Sequence, residues 1–159
     1  MPNKQGKVID IQEEKDKRKI ILKNTILEFL DKTQALDHIS SSRDLPVEFL
    51  FELKLIKLQV LPLLQAYLQQ KFELIERYGE RNERKELVRL GQGRFRFLGQ
   101  DAIRFQAEFQ KLLKMESAID GKRLELSISD IPKGVISEDD TEALEPLIDF
   151  IKVPKGEEE

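Results

Sequence analysis

The feature that most constrains this chain is one apolar segment at residues 45–80, LPVEFLFELKLIKLQVLPLLQAYLQQKFELIERYGE. Its first half has apolar residues at alternate positions, as a strand would, but other apolar residues fill the positions between them. Because the segment is far longer than an ordinary strand, it predicts one long helix. Pro46 suits the first turn of this helix, Pro62 should kink it, and Gly79 should end it.

Shorter apolar patterns on either side predict the remaining elements. The predicted helices cover residues 25–38, 101–113 and 144–151, and the predicted strands cover residues 19–22 and 124–128. Asn24 is expected to cap the first of these helices, and Ser137 with Asp140 has the pattern of a capping box. The expected fold is α+β, mainly α, with a long kinked helix packed with two or three shorter helices plus a small β-hairpin or strand element.

The length of 159 residues indicates one domain. We expect it to span residues 18–153, between a flexible arm at residues 1–17 and an acidic tail at residues 154–159. The first residues are polar and lack the apolar core of a secretory signal, and no apolar run is long enough to span a bilayer. We therefore expect a cytoplasmic protein that does not enter a membrane.

The stretch KELVRLGQGRFRFLGQD at residues 85–101 predicts a β-hairpin closed by glycines. Its phenylalanines should share one face, while Arg89, Arg94 and Arg96 share the other. One interpretation is that the arginines meet phosphate and an exposed phenylalanine stacks on a base. The alternative is that the phenylalanines cover the core and the arginines are solvated or paired with glutamates. The second is favoured, because residues 71–123 carry 13 positive and 9 negative groups, a nearly balanced charge.

Sequence patterns that signal a reaction are missing. The chain has no cysteine, and this excludes a thiolate zinc site, a disulfide framework and a cysteine nucleophile. It has a single histidine, His38. The glycines of the hairpin have neither the spacing nor the lysine of a phosphate-binding loop. The acidic run SEDDTEALE lacks the ligand spacing of a calcium loop. We therefore expect no enzymatic activity, no cofactor and no metal.

The front of the long helix, residues 47–64, is apolar on nearly every side. A helix of this kind has to be covered all round, either by the rest of the domain or by another chain, and both alternatives remain open here. The second alternative predicts a partner-contact set drawn from the helix and the hairpin. That set is Phe49, Leu53, Ile56, Val60, Arg89, Arg94 and Arg96.

The order of these features resembles a family of small uncharacterised proteins from tailed bacteriophages and prophages. The likeness is carried by a long helix ending in Tyr78-Gly79-Glu80, the hairpin sequence RFRF, the helix sequence FQAEFQKLL and the closing LEPLIDFI. It spans residues 19–152 and consists of apolar patterns rather than catalytic signatures. The chain departs from the family in the Leu- and Phe-rich front of its long helix.

The resemblance, taken with the patterns above, implies a non-enzymatic phage or mobile-element protein that acts by binding another protein. It would be a virion or assembly accessory factor, or an inhibitor of a host or phage enzyme. The expected partner is a phage structural protein or a host enzyme, with a second copy of the chain as a further candidate. The alternative is a nucleic-acid-associated protein that uses the arginine hairpin. The expected location is the host cytoplasm or the virion.

Overall fold

Helices form most of the part of the chain that the computed structural model describes, residues 19–152. Five α-helices lie within these residues: α1 (Asn24–Thr33), α2 (Ala35–Ser40), α3 (Val47–Tyr78), α4 (Gly99–Lys114) and α5 (Glu138–Leu144). The predicted α+β, mainly α fold is confirmed, and so is the long helix packed by shorter ones. The expected arm at residues 1–17 and the expected tail at residues 154–159 lie outside the described residues.

Short strands pair two by two around the helices. They are β1 (Lys19–Lys23), β2 (Arg89–Gly91), β3 (Arg94–Phe95), β4 (Glu116–Asp120), β5 (Leu124–Ser127) and β6 (Ile148–Ile151). β1 pairs antiparallel with β4, β2 pairs antiparallel with β3, and β5 pairs parallel with β6. The strands predicted at residues 19–22 and 124–128 are confirmed, whereas β4 and β6 were not predicted.

The hydrophobic core lies against one face of α3. Most of the buried side chains of this helix recur at spacings of three, four or seven residues: Phe49, Leu53, Ile56, Val60, Tyr67 and Leu74. That spacing keeps them on a single face, because an α-helix repeats every 3.6 residues. The face packs against α1, α2, α4, β4 and β5. The helix continues through Pro62 without a break.

Asn24 plays a different part from the N-cap that the sequence predicted. The cap position of α1 is Lys23, and Asn24 is buried inside the first turn. Its side-chain amide donates to the carbonyl of Leu112 at 2.7 Å, and its backbone N–H donates to the carbonyl of Met115 at 3.0 Å. Asn24 therefore binds two carbonyls at the C-terminal end of α4: that of the cap residue Met115, and that of Leu112, which also accepts from the Met115 N–H at 3.2 Å.

Asn24→Ala is expected to lower the free energy of unfolding by about 0.5–1.5 kcal/mol, because the buried hydrogen bond from the Asn24 side chain to the carbonyl of Leu112 is lost while that carbonyl keeps the Met115 N–H as a donor. Chemical denaturation followed by circular dichroism measures this change. Gln106→Ala, an exposed position on α4, is the matched control and should change the free energy by less than about 0.5 kcal/mol. Equal effects at the two positions would contradict the role of the Asn24 side chain.

The first predicted helix also ends earlier than expected. Gln34 adopts a left-handed backbone conformation with φ of 57°, and this breaks the predicted helix at residues 25–38 into α1 and α2. Its side-chain amide donates to the carbonyl of Asp31 at 2.5 Å. The turn lets α2 lie against α5 and α3.

The closing segment corrects a second prediction. The capping box is present, since Ser137 Oγ accepts from the Asp140 N–H and Asp140 Oδ2 accepts from the Ser137 N–H. The last predicted helix therefore begins at the predicted capping box, but α5 ends at Leu144 and the continuation of the helix through residues 144–151 is wrong. Ile148 is fully buried at the start of β6, which pairs with β5. Parallel pairing and burial outweigh the helical spacing of the leucines here.

A partly buried carboxylate joins α1 to α3. Glu28 accepts hydrogen bonds from Tyr67 Oη at 2.5 Å and from Lys71 Nζ at 2.8 Å, and Lys32 Nζ lies 3.8 Å away. Burial by itself raises the pKa of this carboxyl, but the hydrogen bonds from Lys71 and Tyr67 and the positive charges of Lys71 and Lys32 lower it below its usual value. Burial, the hydrogen bond to Glu28 and the charge of that carboxylate raise the pKa of Tyr67.

Candidate functional site

The structure separates the α3 residues of the predicted partner-contact set from the surface. Phe49, Leu53, Ile56 and Val60 lie in the core, and Leu53 and Val60 have no exposed area at all. They pack against the chain's own helices and strands and are not available to a partner in this fold. The assignment of these four residues to partner contact is therefore corrected: they stabilise the fold, and any contact surface of α3 lies elsewhere on the helix.

The opposite side of α3 carries a second row of apolar side chains, which we call the seam. The seam consists of Val47, Phe51, Lys54, Leu58, Leu61, Gln65, Leu68 and Phe72. Phe51 is 61% exposed and Leu58 is 60% exposed, and Val47, Leu61 and Phe72 are also exposed. Leu68 is half-buried and packs against the edge of the core. Isolated exposed leucines are ordinary on a protein surface, but five exposed apolar side chains on one side of a helix mark an interaction surface.

The spacing along the seam is regular. Successive members are separated alternately by four and three residues from Val47 to Phe72, which is the repeat of a helix that packs along another helix. At 1.5 Å per residue, the row is roughly 37 Å long. Two polar residues, Lys54 and Gln65, interrupt the apolar row. This arrangement is suited to contact with an extended helical surface.

Two grooves lie beside the seam. One groove of about 670 Å³ is lined mainly by Leu61, Leu64, Leu68 and Phe72. A second groove of about 400 Å³ lies where α2 approaches α3, and Leu50, Leu58 and Leu61 form part of its wall. Apolar side chains of a partner would fit between the ridges of α3 at these places.

The hairpin residues of the predicted set lie together, but their side chains are partly engaged within the molecule. Arg89 stands over the ring of Phe95, with its guanidinium carbon 5.5 Å from the ring centroid. Arg96 pairs with Glu80, with 3.2 Å between Nε and the carboxylate oxygen. Arg94 is exposed. Arg89 and Phe95 are direct partners across the ladder, so the expected separation into a purely cationic and a purely apolar face is wrong.

The phenylalanines of the hairpin are covered rather than presented to solvent. Phe97 stacks on Phe105 of α4, with 4.0 Å between the ring centroids, and Phe105 stacks in turn on Phe109. Phe95 and Phe97 are both half-buried. Because base stacking needs an open aromatic face, this arrangement removes the main support for the nucleic-acid interpretation.

Polar clusters elsewhere have structural contacts. Among residues 19–152, no group of three or more acidic or histidine side chains is placed to hold a metal ion. His38 Nδ1 lies 2.9 Å from Asp140 Oδ2, which is also the carboxylate of the α5 capping box. This contact joins α2 to α5. Within the same residues, no helix has both the length and the apolar character needed to cross a membrane.

The seam was not predicted from the sequence, because both stripes of α3 contain leucine and phenylalanine. The sequence nevertheless contains two apolar series, one through Phe49, Leu53, Ile56 and Val60 and the other at residues 47, 51, 58 and 61. Series set on opposite sides of a helix indicate two separate contact surfaces.

Comparison with protein-family models, curated proteins and solved structures gave no significant match.

Proposed function

We propose that this chain is a non-enzymatic binding protein that presents the seam of α3 to another polypeptide. The observation that carries the proposal is the row of five exposed apolar side chains, Val47, Phe51, Leu58, Leu61 and Phe72, on the side of α3 opposite the core. Leu53 has no exposed area, whereas Leu58, little more than one helical turn away, is 60% exposed. A seam of this length left in water favours association with an apolar surface.

In the setting that the phage resemblance implies, the protein is an assembly or virion accessory factor, or an inhibitor that docks on a phage or host enzyme. Its place of action is the host cytoplasm or the virion. In this proposal the arginines of the hairpin supply charged contacts outside the apolar seam. Apolar contacts supply most of the affinity of such a surface, and charges at its rim tune orientation and association rate.

Photo-cross-linking tests this proposal in living cells. A photoreactive phenylalanine analogue in place of Phe51 is expected to cross-link to a polypeptide, because that side chain is exposed near the N-terminal end of the seam. The cross-linked species is identified by mass spectrometry after purification under denaturing conditions. The same analogue in place of Ile103, which is 64% exposed on α4, is the matched control and should give at least tenfold less cross-linked polypeptide.

Two outcomes would contradict the proposal. Equal cross-linking from the two positions would mean that the seam has no special affinity for protein. Cross-linking to nucleic acid, with none to protein, would support the nucleic-acid alternative instead. In that case Arg94→Glu with Arg96→Glu should abolish binding, and the affinity should fall steeply as the salt concentration rises.

A further inference from the structure

We infer that the polypeptide that covers the seam is a second copy of this chain, with the two α3 helices packed antiparallel about a two-fold axis. The inference rests on the proposed function, since it names the partner of the same surface. The axis would cross α3 at the midpoint of the seam, between Gln59 and Val60. Antiparallel helices related in this way bring the same patch of both copies together, as a two-fold interface requires.

The seam is complementary to its own reversed copy. Positions at equal distances from the midpoint meet in an antiparallel pair, so Leu58 meets Leu61 of the second copy, and Phe51 meets Leu68 of the second copy. Val47 meets Phe72 in the same way. Each of these pairs places one apolar side chain against another, and no apolar member of the seam meets a charged side chain.

The two polar members of the seam fix the direction of the pair. Lys54 and Gln65 are also equidistant from the midpoint, so the ammonium of Lys54 meets the amide of Gln65 of the second copy. The amide oxygen accepts a hydrogen bond from the ammonium group. Parallel helices in register would instead set Lys54 against Lys54, and two like charges in an apolar interface repel each other. One polar layer of this kind is a known device for setting helix orientation and register.

The lysines along the edge of the seam do not oppose the association. Lys57 pairs with Asp37 at 2.8 Å, and Lys71 pairs with Glu28 at 2.8 Å, both within the same chain. Their charges are therefore compensated before any second copy approaches. Specific interfaces begin at about 1,200 Å² of total buried area, and a seam roughly 37 Å long on each copy provides a contact along most of the length of α3.

Solution mass as a function of concentration tests the inference. Sedimentation equilibrium of the full chain is expected to show twice the chain mass of 18.6 kDa at about 50 μM and dissociation on dilution. Leu58→Glu should weaken association at least 100-fold, because it buries two carboxylates close to the axis. Ile103→Glu, the same kind of change on α4, should leave it within about threefold. Both positions are exposed, and unchanged circular dichroism spectra verify that the variants are folded.

Exchange of the polar pair tests the orientation. Gln65→Lys should weaken association at least tenfold, because it opposes Lys54 with a second positive charge. Adding Lys54→Glu should restore association to the original level or tighter, since each glutamate then meets a lysine of the other copy. In a parallel pair the double variant sets like charges against each other at both levels, so failure of the rescue would overturn the antiparallel arrangement.

The results separate this inference from the proposed function. A concentration-independent single-chain mass, together with cross-linking from Phe51 to a different protein, overturns the second copy as partner and leaves the proposed function standing. A dimer that Leu58→Glu does not weaken overturns the inference, because the copies then associate through another surface. A single-chain mass with no cross-link from Phe51 overturns both.

Discussion

Leu53→Ala is expected to lower the free energy of unfolding by about 3–4 kcal/mol. The Leu53 side chain has no exposed area and lies in the cluster that joins α3 to the rest of the core. Truncation removes its transfer free energy and leaves a cavity whose walls belong to several elements, and such a site relaxes only partly. A leucine buried to this degree typically costs 2–5 kcal/mol when replaced by alanine.

Leu58→Ala is the matched control, because it makes the same chemical change on the same helix. Leu58 is 60% exposed, so the free energy of unfolding of the single chain should change by less than about 0.5 kcal/mol. Urea denaturation at low protein concentration compares the two, since association through the seam would otherwise add to the apparent stability. Equal losses at Leu53 and Leu58 would show that the helix is rotated relative to the core, and this would remove the basis of the seam.

The existence of α3 was predictable because its length excludes a strand, but its orientation was not. An ordinary surface helix reveals its buried face by the contrast between apolar and polar sides. In α3 the core stripe through Leu53 and the seam through Leu58 are both apolar, and the contrast is lost. Only packing against the other elements decides which stripe is buried.

The errors near the C-terminus have a different cause. The sequence LEPLIDFI has leucine and isoleucine at helical spacing, and local pattern alone favours a helix there. Leu124 of β5 lies opposite Ile148 of β6, and the parallel pairing supplies backbone hydrogen bonds that a short helix after Pro146 would lack. Pairing between strands far apart in sequence is not visible in a local window.

The hairpin shows which features of a surface can be predicted from sequence and which cannot. Alternation and glycines predicted its position correctly, and β2 and β3 lie within residues 85–101. The partners of its side chains were not predictable, because Phe97 stacks on a ring of α4 and Arg96 pairs with a residue that follows α3. The residue types of this surface were predictable from the sequence, whereas the fold decided which of their side chains remain exposed.

The second large effect is expected at Glu28, where the Gln variant should lower the free energy of unfolding by about 2–3 kcal/mol at neutral pH. The glutamine keeps the shape of the side chain but removes the charge that Lys71 and Lys32 face. Its amide also offers only one oxygen, whereas the carboxylate accepts from both Tyr67 and Lys71. A mostly buried ion pair that loses one partner leaves the other charge poorly compensated.

The same variant predicts a change in how stability depends on pH. The folded state lowers the pKa of Glu28 below its usual 4.5, so the stabilisation from this group is fully present above that pH. It is lost as the pH falls from about 4.5 through the folded pKa, because the unfolded chain binds the proton more readily. The difference in stability between the natural chain and Glu28→Gln should therefore be largest at neutral pH and shrink in acid. Thermal denaturation from pH 3 to pH 7 measures it.

Glu125→Gln supplies the control, since Glu125 is an exposed glutamate on β5. Its variant should stay within about 0.5 kcal/mol of the natural chain across the same pH range. A constant difference between Glu28→Gln and the natural chain from pH 3 to pH 7 would mean that the lost stability comes from packing rather than from charge. The contact between Lys71 Nζ and the ring of Phe109 would then be tested next, because it joins the same lysine to α4 independently of the Glu28 carboxylate.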